Sequence, residues 1–214
     1  MAMALQRAPR LRDQVYQAVR TMLRDGTFPD AGLAEEDLAD QLQVSRTPIR
    51  EALFQLCREG VLEDTGRGYR MPEPTADDVR EIMQLRRLVE PAIAQTIVAA
   101  REPALVIAFQ EAVAQEAKAI NKPDAKAFIA ANAKFRSHFL SGGGNRRITQ
   151  LMETVDDQVA RLRQRTLGPI PNRQITLDCH RAFLDALALG DKRAAENAIN
   201  RLLDAAEAYY KLIW

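Results

Sequence analysis

Val44-Ser45-Arg46-Thr47-Pro48-Ile49-Arg50-Glu51-Ala52-Leu53 is the stretch on which the fold of this chain turns. Ser45 is a residue type that caps helices. Pro48 is tolerated in a first helical turn, where its missing N–H costs nothing. Ile49, Leu53, Leu56 and Cys57 recur at helical spacing and are expected to pack inward. A helix is therefore predicted from Arg46 or Thr47 to about Glu59, stopped by Gly60. Arg46 and Arg50 lie four residues apart and share one face of it.

Working outward, Gln43-Val44 makes a short turn, and Leu33 to Leu42 reads as a preceding helix. Glu35, Glu36 and Asp37 fall in its first turn, where the helix dipole favours carboxylates. Leu11, Val15, Val19, Met22 and Leu23 mark an earlier helix ending at Gly26. On the far side, Val61-Leu62-Glu63-Asp64 and Tyr69-Arg70-Met71 flank Thr65-Gly66-Arg67-Gly68, the pattern of a β-hairpin. Helix, short turn, helix and hairpin is the order of a winged helix-turn-helix. Its recognition helix presents its first turns to base edges in the major groove. Ser45, Arg46, Thr47 and Arg50 occupy those turns. Arg67, between Gly66 and Gly68, is suited to a minor groove or a phosphate.

Pro72 and Pro74 disfavour helix and mark a linker. Beyond it, about six helices are predicted, near 77–100, 103–121, 124–140, 146–166, 173–189 and 191–212. Pro91 is expected to bend or split the first of them. Gly142-Gly143-Gly144 reads as a helix stop. Long amphipathic helices with short loops indicate an antiparallel bundle. The expected fold is thus mostly α: residues 1–10 a flexible tail, 11–72 a winged helix-turn-helix, 73–76 a linker and 77–214 an all-helical domain. No apolar run approaches the roughly 20 residues of a membrane-spanning helix. Cys57 and Cys179 form no CxxC or disulfide framework, which suits a reduced cytoplasmic compartment.

The Ser45–Leu53 run, with Leu38-Ala39 before it and Leu56, Glu59-Gly60-Val61-Leu62 and Gly66-Arg67-Gly68 after it, closely resembles the DNA-binding domain of GntR-type regulators. Arg86-Arg87-Leu88-Val89-Glu90, Phe135, Gly144-Asn145 and His180 through Gly190-Asp191 resemble the all-helical effector (FCD) domain of the FadR-like branch. The resemblance implies that Ser45, Arg46, Thr47 and Arg50 contact an operator, with Gly66, Arg67 and Gly68 at the wing. It implies a homodimer on a near-palindromic site, most simply a repressor released by an effector. Members often carry an arginine or small polar residue near position 36 for a phosphate contact; Glu36 departs from that pattern.

Many such effector domains hold a divalent metal with one aspartate and three histidines. Carried over by motif, those positions fall on Asn132, Arg136, His180 and Leu202. With only His138 and His180 in the chain, a three-histidine site cannot be built, and no metal or other cofactor is expected. An arginine can anchor a carboxylate directly through two parallel hydrogen bonds. Arg136, with Asn132, His180 and Arg86, is therefore a candidate site for a small organic acid or other anionic effector. The alternative is that an internal carboxylate such as Glu90 or Asp178 neutralises Arg136 and that His180 is a satisfied core residue. Arg161, Arg163 and Arg165 read as a solvated basic face, and Tyr209, Tyr210 and Trp214 as packing residues.

The composition is that of an ordinary globular protein: 214 residues, 47% hydrophobic and 28% charged. It excludes disordered, collagenous and disulfide-scaffold classes. Two isolated histidines and no nucleophile motif give no catalytic constellation, so an enzyme is not expected. The formal charge of +1 argues by itself against a nucleic-acid partner. Residues 1–75 are even slightly acidic, with 10 Arg against 12 Asp and Glu. Such a domain must hold DNA through a few placed arginines. Affinity for a single half-site, followed by fluorescence anisotropy across salt concentrations, is accordingly expected to show a shallow slope.

Overall fold

The computed structural model describes residues 10–212; the tail predicted for 1–10 falls, but for Arg10, outside them, as does Trp214. The chain divides into two compact units, Met1–Pro72 and Glu73–Trp214.

In the first unit α1 (Leu11–Asp25) ends at Gly26, whose left-handed backbone returns its N–H to the Leu23 carbonyl. Next come α2 (Glu35–Leu42) and α3 (Arg46–Arg58), separated by Gln43 in a left-handed conformation. Val15, Val19 and Leu23 pack with Leu38, Ile49, Leu53 and Leu56, all almost fully buried, while Cys57 is only half-buried. Ser45 stands at the N-cap of α3, but its hydroxyl makes no capping bond. The third helical position, the usual donor to such a cap, is Pro48 and has no N–H.

The hairpin is short: β1 (Glu63–Asp64) pairs antiparallel with β2 (Tyr69–Arg70), with Glu63 opposite Arg70. Tyr69 also bridges to Leu33, exchanging N–H···O bonds of 2.8 and 2.9 Å, so the root of the wing is stitched to the segment before α2. Gly68 is required there. A Cβ on it would sit 2.9 Å from the Leu33 carbonyl oxygen.

The second unit is all-helical: α4 (Ala76–Ala100), α5 (Pro103–Ala119), α6 (Lys126–Gly142), α7 (Arg146–Gln158), α8 (Ala160–Thr166), α9 (Ile170–Leu189) and α10 (Lys192–Lys211). Thr75 and Asp78 form a reciprocal capping box at the start of α4. Pro91 does not split that helix, which runs unbroken through it. The single helix expected over 146–166 is instead broken at Val159 into α7 and α8. No glycine or proline marks the break. It lets Arg163 Nη2 reach the Asp156 backbone carbonyl at 2.9 Å and the Asp156 carboxylate at 2.5 Å.

α10 packs along α4 and α9, and α5 along α6. The core between them is aromatic: Phe109 lies 4.9 Å from Phe135 and 5.3 Å from Phe183, ring centre to ring centre. Arg173, 2% exposed, serves the fold in another way. Its guanidinium donates to the carbonyls of Ile120, Lys122, Leu167 and Gly168 at 2.5–3.1 Å, gathering the ends of α5 and α8. Removing it strands four acceptors. Arg173→Met is expected to destabilise the protein by about 3 kcal/mol, read as a lowered urea midpoint.

Candidate nucleic-acid interface and buried charged centre

On the first unit, Ser45, Arg46, Thr47 and Arg50 are all exposed on the first turns of α3. Neither arginine is idle. Arg50 grips Glu35 through Nε and Nη2, at 2.9–3.2 Å, and Arg46 pairs with Glu36. Glu35 also accepts the Tyr69 hydroxyl at 3.1 Å, so one carboxylate joins α2, α3 and the wing. The Arg50 hydrogen bond holds the Glu35 carboxyl below its ordinary range, helped by Tyr69. Burial, then the bond to Glu35, pushes the Tyr69 phenol up to about 12. At the wing tip, Asp64 accepts the Gly66 N–H at 2.7 Å, and the Arg67 side chain makes no ion pair among the described residues. Wing and helix enclose a cleft of about 350 Å³, lined by Glu35, Glu36, Arg46, Asp64 and Gly66 to Tyr69. Phe54, one turn beyond Arg50 on the same face, is 62% exposed. Nothing in the local sequence marks it.

In the second unit the four residues singled out as an effector site divide into two groups, Arg86 and Arg136 on Glu90 and Asp156, and Asn132 and His180 on Glu116. Arg136 on α6 meets Glu90 on α4 in a bidentate pair at 2.9 and 3.1 Å, and donates Nε to Asp156 on α7 at 3.0 Å. Arg86, one turn before Glu90, binds the same carboxylate at 2.7 Å. Arg163 on α8 completes the group through Asp156. Burial by itself would raise the Glu90 carboxyl, but Arg136 and then Arg86 overrule it and hold it down at about 2. Arg136 is raised, because Glu90 and Asp156 outweigh its own burial. Arg163 is lowered: burial dominates, and repulsion from Arg136 and Arg86 works against the pull of Asp156. Its Nη1 is buried and has no hydrogen-bond partner among the described residues.

Asn132 and His180 meet a different carboxylate, Glu116 on α5. His180 Nδ1 lies 2.9 Å from Glu116 and Asn132 Nδ2 donates to it at 3.2 Å, while the imidazole stacks 3.6 Å above Phe135. A carboxylate only accepts, so Nδ1 carries the proton. Nε2 is buried and has no partner among the described residues. A cavity of about 50 Å³ opens beside the arginines, lined by Arg86, Asn132, Arg136, Arg163, Thr176 and Tyr210, with Leu202 on its apolar side. His180 does not line it.

Two family models cover most of the chain: bacterial regulatory proteins of the gntR family over residues 11–68, and the FCD domain over residues 81–205. The chain belongs to the GntR family and carries an FCD domain. It is 28% identical to an uncharacterised HTH-type transcriptional regulator, YdhC, of Bacillus subtilis, over 87% of this chain and 84% of that protein. It is 30% identical to a putative L-lactate dehydrogenase operon regulatory protein of Escherichia coli, over 89% and 82%. The solved structure of E. coli McbR/YncC superposes with a TM-score of 0.83 at 22% identity, covering 96% of this chain and 99% of that one, which is a likeness of fold. The chain is accordingly a DNA-binding transcriptional regulator of the GntR class, not an enzyme. No described helix is long and apolar enough to cross a membrane.

The residues present do not fit the metal that many FCD domains hold. Of the four positions, Arg136 is a permanent cation already bound to two carboxylates, and Leu202 offers no donor atom. Among the described residues, no three His, Cys, Asp or Glu side chains gather in a metal-binding group. Of the two internal carboxylates considered for Arg136, Glu90 is the partner; Asp178 lies instead near Arg181 and Gln174 on α9. The basic run of 161–165 is a solvated face only in part: the Arg163 side chain turns inward and Arg161 is half-buried, while Arg165 is exposed; Arg161 and Arg165 both pair with Glu73. The Val159 break turns Arg163 inward, and nothing in the local sequence signals it.

Glu90 supplies a test. Its carboxyl is depressed from 4.5 to about 2, so its contribution to stability is complete above pH 4.5 and is lost as pH falls towards 2. Glu90→Gln is expected to cost about 3–5 kcal/mol near pH 7. The gap between wild type and variant in urea unfolding is expected to narrow steadily below pH 4.5.

Proposed function

We propose that this regulator is a cytoplasmic, homodimeric repressor that reads a near-palindromic operator and is released by a small anionic effector held in the FCD domain. In each copy Ser45, Arg46, Thr47 and Arg50 address the major groove, while Gly66, Arg67 and Gly68 address the minor groove or its phosphates. Repression is the simplest output of such occupancy, because a bound dimer blocks transcription without any further contact. Effector and operator then oppose each other's binding to the same degree.

The observation that carries the effector reading is the cluster of arginines around the 50 Å³ cavity. Three guanidiniums, Arg86, Arg136 and Arg163, share the two carboxylates Glu90 and Asp156, and Arg163 Nη1 is left unpaired. A cluster of arginines beside a cavity, with Arg163 Nη1 unpaired among the described residues, suits one anionic group. The anchor is then Arg163, with Arg86, Asn132 and Thr176 around the ligand, and Arg136 holds the frame. His180 acts at a remove, through Glu116 and Asn132. The cavity is well below the roughly 300 Å³ at which ordinary ligand pockets begin. It suits a small carboxylate, and a larger one must open the site.

Two measurements test this reading. Arg46→Ala and Arg50→Ala are each expected to weaken binding to a selected duplex by about 5- to 100-fold, whereas Arg67→Ala weakens all duplexes alike. In a thermal-shift screen of small carboxylic acids, a compound that stabilises the wild type is expected to lose most of its effect on Arg163→Gln. Equal stabilisation of both proteins would show that Arg163 is not the anchor.

A further inference from the structure

The two arginines placed at the operator are held by two very different carboxylates. Glu35 is packed: its side chain is 20% exposed, takes two nitrogens of Arg50 and accepts the Tyr69 hydroxyl. The grip uses the Nε and Nη2 edge of Arg50 and leaves Nη1 unbonded, so the guanidinium is aimed and still has a donor to offer. Glu36 is bare. Its side chain is 70% exposed and that of Arg46 54%, and their mutual ion pair is the only polar side-chain contact of either among the described residues.

Major-groove readout by arginine uses the same planar fork that pairs with a carboxylate. Glu36 meets Arg46 at Nη2, a nitrogen that either planar fork of a guanidinium uses, so a fork closing on a guanine edge or a phosphate competes with that pair. When it turns to DNA, Glu36 is left as an unpaired negative charge beside a polymer carrying one phosphate per roughly 1.7 Å of axis. Asp64, across the cleft, adds to that negative charge. Binding therefore loses an ion pair and gains a repulsion at the same place.

We propose that Glu36 is an affinity attenuator: an intramolecular competitor that occupies Arg46 in the unbound protein and is displaced at the operator. This rests on the reading of Arg46 as an operator contact. The device weakens every mode in which Arg46 engages DNA. A single half-site is then held poorly, and stable occupancy requires two. It is a negative contribution written into the DNA-facing surface, separate from any effector.

The experiment is a two-residue cycle on the full-length protein, measured by fluorescence anisotropy. The probe is a duplex enriched from a random-sequence pool by the wild type. Glu36→Gln is expected to bind it about 5-fold more tightly, the ceiling for an exposed ion pair. Glu36→Ala is expected to do the same, with melting temperatures unchanged in both. The gain must shrink when Arg46→Ala is also present, since there is then no arginine to release and only the repulsion of phosphate is relieved. An equal gain in the Arg46→Ala background overturns the proposal, because Glu36 would then act on phosphates alone. A loss of affinity in Glu36→Gln overturns it too, and would make Glu36 a direct DNA contact. If Arg46→Ala by itself leaves affinity unchanged, the operator-contact reading has failed, and the attenuator fails with it.

Discussion

A carboxylate set at the centre of a helical bundle costs several kcal/mol unless cations are buried with it. Glu90 has no exposure at all, and it is met by Arg86 from its own helix and Arg136 from α6. Arg136 in turn requires Asp156 on α7, and Asp156 requires Arg163 on α8. Each member of the chain would be prohibitive without its neighbour. Four helices are thus held in register by charge, where the surrounding phenylalanines would tolerate several arrangements. The series ends on a cation, Arg163, whose Nη1 has no hydrogen-bond partner among the described residues.

The same pair of residue types behaves differently at the surface of the first unit. Arg46 and Glu36 lie in water, where an ion pair is worth a few tenths of a kcal/mol to about 1 kcal/mol and exchanges readily. Arg50 and Glu35 sit between these extremes, partly enclosed by Tyr69. Burial decides whether an arginine–carboxylate pair acts as architecture, as an aiming device or as a competitor. All three occur within one chain of near-zero net charge.

The winged helix-turn-helix was legible because its signals are local. Ser45 and Pro48 announce a helix start, Gly60 a stop, and Gly66 to Gly68 a hairpin, each through backbone geometry that few residues supply. The bundle was legible as a class for the same reason, through Pro103, Pro123 and Gly190. What escaped was non-local. The Val159 break has no breaker residue; it follows from where Asp156 and Arg163 must go. The partners of Arg46 and Arg50 were visible as acidic residues but were assigned to the helix dipole, since nothing in a linear pattern shows that α2 and α3 present these side chains to one another. Arg136 is a buried cation and needs an anion. Glu90 was one of the carboxylates weighed for it, while Asp156, on another helix, was not.

The wing has a fixed end and a variable one. At its root, Gly68 lies against the Leu33 carbonyl and Tyr69 is bonded in both directions to Leu33, so neither length nor side chain can change there without breaking the bridge. At its tip, a side chain added to Gly66 would meet nothing, although the left-handed backbone there still disfavours one. Diversification of this reader is therefore confined to the outermost residues of the hairpin. A library built at Arg67 would alter what the wing touches while leaving its bridge to Leu33 intact.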